Sequence, residues 1–280
     1  MTGRYVEVRV SGLPAPLAGG ELLGFLDDSV LGAWEADGRI HLYWPEAVFH
    51  PRILEQLQAA LDRLGGGRAE VEHVSEPDWI ALWAESVRPV RIGRRFLVRQ
   101  SWTSAPVGPG EIELVIDPRR AFGTGHHPTT QLLVETLEER IRGGERLLDV
   151  GTGSGLLAMA ALRLGARSAM GIDADADAIA CAREYAAENG FGPELVLRVA
   201  RLEELPAAAF DVVAANLDRE TLIRHAARLR AFLAPRGLLL VSGVLSEDRA
   251  DLAAAFSAAG GSIRGWRERE EWAAAEIGFD

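Results

Sequence analysis

The feature that most limits the possible folds is an alternation of strand-like and helix-like segments that begins near residue 111. Helical patterns of about 10–15 residues separate the strand candidates, which is typical of a parallel, doubly wound α/β sheet. The strand candidates are Ile112–Ile116, Arg146–Val150, Ser168–Ile172, Leu195–Val199, Asp211–Asn216 and Leu238–Gly243, and two further strand-like segments, Ser262–Glu268 and Trp272–Phe279, close the chain.

The first 68 residues show a different order of segments: strand, helix, strand, strand, helix. Asp37-Gly38 between two strand-like runs is a strong hairpin signal. The strands are expected at Tyr5–Val10, Val30–Glu35 and Arg39–Trp44, and the helices around Leu22, Leu23 and Phe25 and from Pro51 to the glycines at 65–67. This order predicts a small α+β, ferredoxin-like domain over 1–68, a linker over 69–86 and the α/β domain over 87–280.

Composition excludes several classes of mechanism. All 30 basic residues of the 280 are Arg, so no lysine can serve as a P-loop lysine, a Schiff base or a general base. The single Cys181 excludes an internal disulfide and a cysteine zinc site, and we expect no bound metal.

The 41 acidic residues give a net charge of −11, which argues against a nucleic-acid coat and favours a basic protein partner. The first ten residues show no signal-type apolar run, and no stretch approaches the roughly 18 apolar residues that span a membrane. We therefore expect a cytoplasmic protein, monomeric, without direct nucleic-acid or membrane binding.

The strongest local motif is a glycine-rich loop between an apolar strand and a helix, Asp149-Val150-Gly151-Thr152-Gly153-Ser154-Gly155. Glycine permits positive φ and close approach of the backbone to a ligand, and the helix start offers free N–H groups. A dinucleotide fingerprint needs a glycine at the next position, where this chain has Leu156. The pattern is instead that of an S-adenosylmethionine loop, with an ordinary strand-to-helix turn as the alternative.

Two polar residues end strands that follow this loop. Asp173 lies 173 − 151 = 22 positions after the first glycine, where an acid accepts hydrogen bonds from ribose hydroxyls. Asn216 ends an apolar strand at the edge where α/β sheets bind ligands, so it is a candidate catalytic residue. The alternative for Asn216 is a cap on the following helix, and the two roles are compatible. Asp175 is expected to be the N-cap of a helix over Ala176–Glu188.

Further short motifs accompany the glycine loop along the chain: Asp78-Trp79 with Trp83, Arg88-Pro89, Arg91-Ile92-Gly93, Ser101-Trp102, Ile116-Asp117-Pro118, Ala121-Phe122-Gly123-Thr124-Gly125-His126-His127-Pro128-Thr129-Thr130, Ala215-Asn216-Leu217 and Glu270-Glu271-Trp272. Together with the glycine loop, these motifs resemble those of the bacterial ribosomal protein L-eleven methyltransferases. The resemblance is close over 76–280 and looser over 1–68.

This resemblance implies a Rossmann-like class I methyltransferase fold with S-adenosyl-L-methionine as cofactor, behind an N-terminal recognition domain. It also implies methylation of α-amino and lysine ε-amino groups on a ribosomal protein substrate that is basic and Lys-rich. The implied cofactor-binding residues are Phe122, Gly123, Thr130, Asp149, Gly151, Gly153, Gly155, Asp173 and Asn216, with Asn216 also catalytic.

The residues leave other functions open. A lysine methyltransferase for another protein and a non-catalytic cofactor-sensing module share the same motifs. A nicotinamide-dependent oxidoreductase is disfavoured by Leu156 in place of the third glycine.

Overall fold

The chain divides into two compact units, Met1–Val87 and Arg88–Asp280. The computed structural model describes residues 4–12, 32–36, 38–63, 66–75, 88–117, 123–206 and 208–279. Within these ranges, none of the helices combines the length and the apolar character that a membrane-spanning helix needs.

The first unit is built on a four-stranded antiparallel sheet in the order β2-β3-β1-β4. Its elements are β1 (Arg4–Ser11), β2 (Gly32–Ala36), β3 (Arg39–Pro45), helix α1 (Pro51–Arg63) and β4 (Arg68–Ser75). The alternating valines of β1 pack with Ile53, Leu57 and Leu61 of α1. This strand order is that of a ferredoxin-like domain, as the sequence predicts. The helix predicted around Leu22, Leu23 and Phe25 lies outside the described residues.

Strand β4 corrects part of the domain assignment. It pairs along its whole length with β1, from Arg4 opposite Ser75 to Ser11 opposite Arg68. Residues 69–75, which the sequence assigns to the linker, belong to this strand. The sequence of β4 carries mostly polar side chains because one of its edges and much of its surface face solvent, so it lacks the apolar pattern of a buried strand.

The second unit begins with a three-stranded sheet in the order β5-β6-β7. Its strands are β5 (Val90–Ile92), β6 (Phe96–Arg99) and β7 (Ile112–Val115). Gly93, with φ +61°, makes the turn of the β5–β6 hairpin. Strand β7 pairs in parallel with β6 and not with the main sheet. The prediction that Ile112–Ile116 belongs to the doubly wound sheet is wrong, because this segment pairs with β6 in the separate three-stranded sheet.

The main sheet has seven strands in the order β10-β9-β8-β11-β12-β14-β13. They are β8 (Arg146–Val150), β9 (Ser168–Asp173), β10 (Leu195–Val199), β11 (Phe210–Asn216), β12 (Leu233–Leu245), β13 (Gly261–Arg269) and β14 (Trp272–Phe279). The first five in this order run parallel, and β14 is antiparallel to both of its neighbours. The Rossmann-like doubly wound sheet is thereby confirmed, and its order reverses between β8 and β11.

Helices cover both faces of this sheet: α2 (Pro128–Arg140), α3 (Leu156–Arg163), α4 (Ala176–Glu188), α5 (Arg219–Arg230) and α6 (Arg249–Ala258). Apolar residues of α2, α3 and α4 pack on one face, and those of α5 and α6 pack on the other. Asp175 caps α4 as predicted, since its carboxylate accepts the N–H of Asp177 at 2.8 Å. The polar residues of the glycine loop, Asp173 and Asn216 lie at the carboxyl ends of the parallel strands.

Candidate active site

The glycine loop, Asp173 and Asn216 come together at the carboxyl edge of the sheet, beside the reversal of strand order. Val150 pairs with Ile172 of β9 on one side and with Ala215 of β11 on the other. Asp173, which follows Ile172, and Asn216, which follows Ala215, are thus at the same level of the sheet as Gly151. Ligands of open α/β sheets bind in this crevice.

The glycine loop has the conformation that its sequence predicts. Gly151, Gly153 and Gly155 have φ values of +70°, +53° and +81°. A Cβ at Gly151 would lie 2.5 Å from Leu217 Cδ2, so the loop also packs closely against the segment that follows Asn216. The N–H groups of Gly151 and Thr152 both donate to the carbonyl of Ile172 at 2.9 Å, which ties the loop to β9.

Asp149 is a fully buried carboxyl group beneath the loop. Its Oδ2 accepts the hydroxyl of Thr152 at 2.6 Å, so it holds the turn from inside. Burial raises the pKa of Asp149 from 3.8 to about 7, and the negative charge of Asp173 adds to the rise. The hydrogen bonds from the Thr152 hydroxyl and the Ala158 N–H act in the opposite direction. The sequence grouped Asp149 with the cofactor-binding residues, and its contacts here are with the loop.

Asp173 lies at the end of β9 and faces the glycine loop. Oδ2 accepts the N–H of Gly153 at 3.0 Å, and Oδ1 accepts the N–H of Asp175 at 3.0 Å. Each carboxylate oxygen has two lone pairs, so two acceptor positions remain for a ligand. The two backbone bonds fix the direction of the carboxylate at the edge of the crevice.

A second loop is fastened over the start of α3. Ser154, fully buried, donates its hydroxyl to the carbonyl of Gly123 at 2.7 Å. Gly123 has φ +103°, and a Cβ there would lie 2.8 Å from Ser154 Oγ, so only glycine fits without a shift. Gln131 also holds this loop, because its Nε2 donates to the carbonyls of Gly125 and His126 at 3.0 Å. Phe122 lies outside the described residues.

Asn216 faces the first turn of α2. Its Nδ2 donates to Thr129 Oγ1 at 3.1 Å and to Thr130 Oγ1 at 3.2 Å, and both threonines are buried. Thr130 and Asn216, which are 86 residues apart in the sequence, are thus in contact. The alternative that Asn216 caps the next helix is wrong, since Asp218 is the N-cap of α5 and accepts the N–H of Thr221 at 2.9 Å.

The two adjacent histidines have different surroundings. His127 is the N-cap of α2, and its ring packs edge-on against Trp272, with centroids 4.8 Å apart. Burial lowers the pKa of His127, against the opposing charges of Glu271 and Glu270. His126 is exposed, and its Nε2 lies 2.8 Å from the carbonyl of Arg88.

Sequence reasoning missed three residues that build the site. The hydroxyls of Thr129 and Ser154 bridge separate segments. Gly243 lets β12 pass close to Leu217, because any Cβ at position 243 would overlap the main chain of Leu217. Thr129 and Ser154 lie inside motifs that the sequence does single out. Gly243 is the last residue of a predicted strand, and a glycine in a strand is a sequence signal for a bulge or a close backbone contact. Its φ in the structure is +94°.

These residues suit a nucleoside-like ligand. The glycines at positive φ let a ligand approach the backbone of the loop closely, and Asp173 supplies a fixed acceptor for sugar hydroxyls. In the described part of the chain, no group of three His, Cys, Asp or Glu side chains is arranged to hold a metal ion.

Comparisons with known proteins agree with this geometry. A family model described as "Ribosomal protein L11 methyltransferase" matches residues 27–278. The chain is 36% identical over 302 residues to the ribosomal protein L11 methyltransferase of Pelobacter propionicus, covering 98% of this chain and 97% of that protein. It is 43% identical over 202 residues to the protein of that name from Geobacter metallireducens, covering 72% and 66%.

A solved structure is similar as well. The crystal structure of ribosomal protein L11 methylase from Lactobacillus delbrueckii subsp. bulgaricus superposes with a TM-score of 0.64 at 28% identity. The match covers 68% of this chain and 98% of that one.

Proposed function

Since this chain belongs to the family of ribosomal protein L11 methyltransferases, we propose that it methylates both the α-amino group and lysine ε-amino groups of ribosomal protein L11. The chain is a protein methyltransferase that uses S-adenosyl-L-methionine. The observation that carries the choice of amine is Asn216, a neutral side chain at the switch point of the sheet beside the glycine loop. A nicotinamide-dependent oxidoreductase is set aside, because the antiparallel β14 lies between β12 and β13 in this sheet.

The cofactor is proposed to occupy the crevice above the glycine loop. Gly151, Gly153 and Gly155 would approach it with their backbone, and Asp173 would accept its ribose hydroxyls. Gly123 and Phe122 would cover its methionine part, with Thr130 beside them. Asp149 acts through Thr152 by holding the loop. The sulfonium of the bound cofactor supplies an already activated methyl group, so the protein has mainly to align an amine with it, and such positioning is worth roughly 7–11 kcal/mol.

Deprotonation of the acceptor is the harder requirement. A lysine with a pKa of roughly 10.4 needs about 4.6 kcal/mol to lose its proton at pH 7, whereas an α-amino group needs only about 1–1.4 kcal/mol. No lysine base exists in this chain. Desolvation in a pocket lowers an amine pKa and supplies part of the difference.

Asn216 is proposed to orient the neutral amine. Its Nδ2 is held by the hydroxyls of Thr129 and Thr130, so Oδ1 is the atom of this amide that accepts an amine N–H. That hydrogen bond turns the amine lone pair toward the methyl group. This acceptor orients the amine but removes no proton, so the proton of the amine must pass to solvent before the methyl group is transferred.

The remaining parts of the proposal concern partners. The first unit is proposed to recognise the substrate, and the net charge of −11 suits a basic, Lys-rich protein. A cytoplasmic monomer without direct nucleic-acid binding stays a prediction.

The test is methyl transfer from labelled S-adenosylmethionine to purified L11 in three forms: unmodified, acetylated at the α-amino group, and with every lysine replaced by arginine. We expect label in all three forms and none when both changes are combined. Equal label in the unmodified and the doubly blocked protein would mean that the methyl group goes to an acceptor other than these amines. The enzyme itself has no ε-amino group, so its own band should carry at most an N-terminal methyl group.

Two further samples complete the test. Asn216→Ala should lower kcat about 10- to 100-fold and leave the Kd of the cofactor nearly unchanged, because Asn216 acts on the amine. Equal losses in both would make it a cofactor-binding residue only.

In a ribosomal extract, a labelled protein other than L11 would favour a lysine methyltransferase with another substrate.

A further inference from the structure

We propose that His127 and Thr129 are positioning residues, which fix the side-chain amide of Asn216 so that Oδ1 faces the methyl-accepting amine. The proposal rests on the role assigned to Asn216 above. It assigns a task to Thr129 and His127, which the sequence motifs contain without explaining. One chain of contacts runs from the ring of His127 through the hydroxyl of Thr129 to the side-chain amide of Asn216.

The first step fixes the protonation of the histidine ring. His127 is the N-cap of α2, and its Nδ1 accepts the backbone N–H of Thr129 at 3.3 Å. A backbone N–H can only donate, so Nδ1 carries a lone pair and no hydrogen. A neutral ring with this arrangement has its hydrogen on Nε2.

The second step fixes the hydroxyl of Thr129. Its Oγ1 lies 2.7 Å from the same Nδ1, which holds no hydrogen, so the hydroxyl donates to the ring and shares the single Nδ1 lone pair with the longer bond from the Thr129 N–H. The single hydrogen of Thr129 Oγ1 is thereby used. Only lone pairs of this oxygen remain for the third contact, which is with Asn216.

The third step fixes the amide. An asparagine side chain presents either NH₂ or a carbonyl oxygen to a neighbour, and an oxygen that has only lone pairs to offer selects the NH₂. Nδ2 of Asn216 therefore donates to Thr129 Oγ1 at 3.1 Å, and it also lies 3.2 Å from Thr130 Oγ1. Rotation of the amide by 180° would place Oδ1 against the lone pairs of Thr129. The consequence is that Oδ1 is directed away from α2.

The surroundings of His127 maintain the neutral ring on which this chain depends. Burial holds the pKa of His127 below its usual value of 6.5, and Trp272 packs against its ring at the start of β14. The charged groups that act on it are Glu271 and Glu270 at the β13–β14 turn, and they oppose the effect of burial. Thr130 and Asn216, on the other side of the chain of contacts, are uncharged.

The first test separates the hydroxyl of Thr129 from its shape. Thr129→Val keeps the volume and removes the hydrogen bonds, whereas Thr129→Ser keeps the hydroxyl. We expect Thr129→Val to lower kcat about 5- to 10-fold with an unchanged Kd for S-adenosylmethionine. Thr129→Ser should retain most of the wild-type kcat. Thr136→Val is the matched control, because Thr136 donates its hydroxyl to the Leu132 carbonyl within the same helix, and its kcat should equal that of the wild type. Wild-type kcat in Thr129→Val, or equal losses in the Val and Ser variants, would overturn the proposal.

The second test reads the histidine directly and needs no methyl transfer. Long-range ¹H–¹⁵N spectra of the full-length protein, with His127→Gln used to assign the signal, should show His127 as the neutral ring with hydrogen on Nε2. A ring with hydrogen on Nδ1 would overturn the proposal even in an active enzyme. If the wild type fails to methylate L11 while the ring has the expected form, the proposed function fails and the chain of hydrogen bonds stands.

Discussion

Asp173 ends β9 and Asp149 is the penultimate residue of the neighbouring β8, yet their surroundings give the two carboxyl groups different tasks. Asp149 is fully buried and bound to the Thr152 hydroxyl, whereas Asp173 is partly exposed and accepts two backbone N–H groups. Burial disfavours the charged form of the Asp149 carboxyl group. Asp149 therefore supports the loop from below, and Asp173 is the one placed to bind a ligand.

The burial of Asp149 predicts a pH-dependent stability. Its pKa is about 7 in the folded protein against 3.8 for the free group, so between these values the folded state binds more protons. The wild-type free energy of unfolding then falls as pH rises from about 4 to about 7, by as much as roughly 4 kcal/mol at 1.36 kcal/mol per pKa unit. Asp149→Asn lacks this loss. The free energy of unfolding of Asp149→Asn minus that of the wild type should therefore be larger at pH 8 than at pH 5.

Urea unfolding at both pH values measures that difference. Asp211→Asn, which removes a solvent-accessible carboxylate from the adjacent strand β11, is the control for loss of a charge from the sheet. An Asp149→Asn effect of the same size at pH 5 and pH 8 would mean that the buried carboxyl group does not titrate in this range.

Asp173 predicts an effect on cofactor affinity. Asp173→Ala removes the proposed acceptor of the ribose hydroxyls together with the bond to the Gly153 N–H. A hydrogen bond to a charged group is worth about 1.5–3 kcal/mol, so the Kd for S-adenosylmethionine should rise about 10- to 150-fold. Isothermal titration calorimetry measures this. Asp175→Asn, which keeps the cap of α4, should bind like the wild type, and an unchanged Kd in Asp173→Ala would remove the ribose role.

At the scale of elements, the edge of the sheet depends on a bulge in β12. The register of β12 against β14 shifts between Ser242 and Val244, and Gly243 has φ +94° there. The carbonyl of Ser242 accepts the N–H of Leu217 at 3.0 Å, so the bulge holds the segment that follows Asn216. Bulges of this kind redirect a strand next to a site.

Gly243→Ala should therefore damage catalysis through the backbone. The new Cβ would overlap the main chain of Leu217, which cannot move without displacing Asn216. We expect a loss of about 10-fold or more in kcat together with about 2–4 kcal/mol of stability. Gly110→Ala is the matched control, because Gly110 has a similar φ of +80° with nothing within 4 Å of the added Cβ. Equal stability losses in the two variants would show that strain at positive φ, and not the overlap, is responsible.

The sequence predicts the elements with a clear period and misses those without one. Helix Ala176–Glu188 and strand Trp272–Phe279 are observed with the predicted bounds. Strand β4 was missed because its side chains are mainly polar, and β7 was placed in the wrong sheet because local pattern says nothing about which strand becomes a partner. Strand pairing is decided by tertiary contacts, such as the Asn189 side chain that binds both backbone groups of Val115.

The candidate site follows the same division. Gly151, Asp173 and Asn216 were predictable, because each follows or ends an apolar strand and the carboxyl ends of parallel strands meet. Thr129 and Ser154 were not singled out, since their hydroxyls act across 87 and 31 residues of sequence. A hydroxyl that bridges distant segments leaves no periodic signal, so only the fold reveals it.

At the scale of the whole molecule, the division at Val87 and Arg88 predicts separable functions. The second unit has its own apolar cores on both faces of the sheet, and it contains the whole candidate site. A protein of residues 88–280 should bind S-adenosylmethionine with the wild-type Kd and lose at least 100-fold in kcat/KM on full-length L11. A protein of residues 69–280 would retain β4 without its partner β1, and should aggregate more readily.

Two measurements decide this prediction. Calorimetry reports the cofactor affinity of the 88–280 protein, and a labelled methyl-transfer assay reports its activity on L11. Efficient methylation of full-length L11 by the 88–280 protein would contradict the proposed recognition role of the first unit.

The net charge predicts how the enzyme meets its substrate. With 41 acidic residues against 30 arginines, the molecule attracts a Lys-rich protein over a distance set by the Debye length, which falls from about 10 Å at 0.1 M salt to about 3 Å at 1 M. Raising NaCl from about 50 to about 500 mM should lower kcat/KM for L11 about 10-fold or more and leave kcat unchanged, because steering affects encounter and not chemistry. A short uncharged peptide with a free α-amino group is the control, and its kcat/KM should not depend on salt. A salt-independent kcat/KM for L11 would mean that recognition relies on contacts that form after encounter.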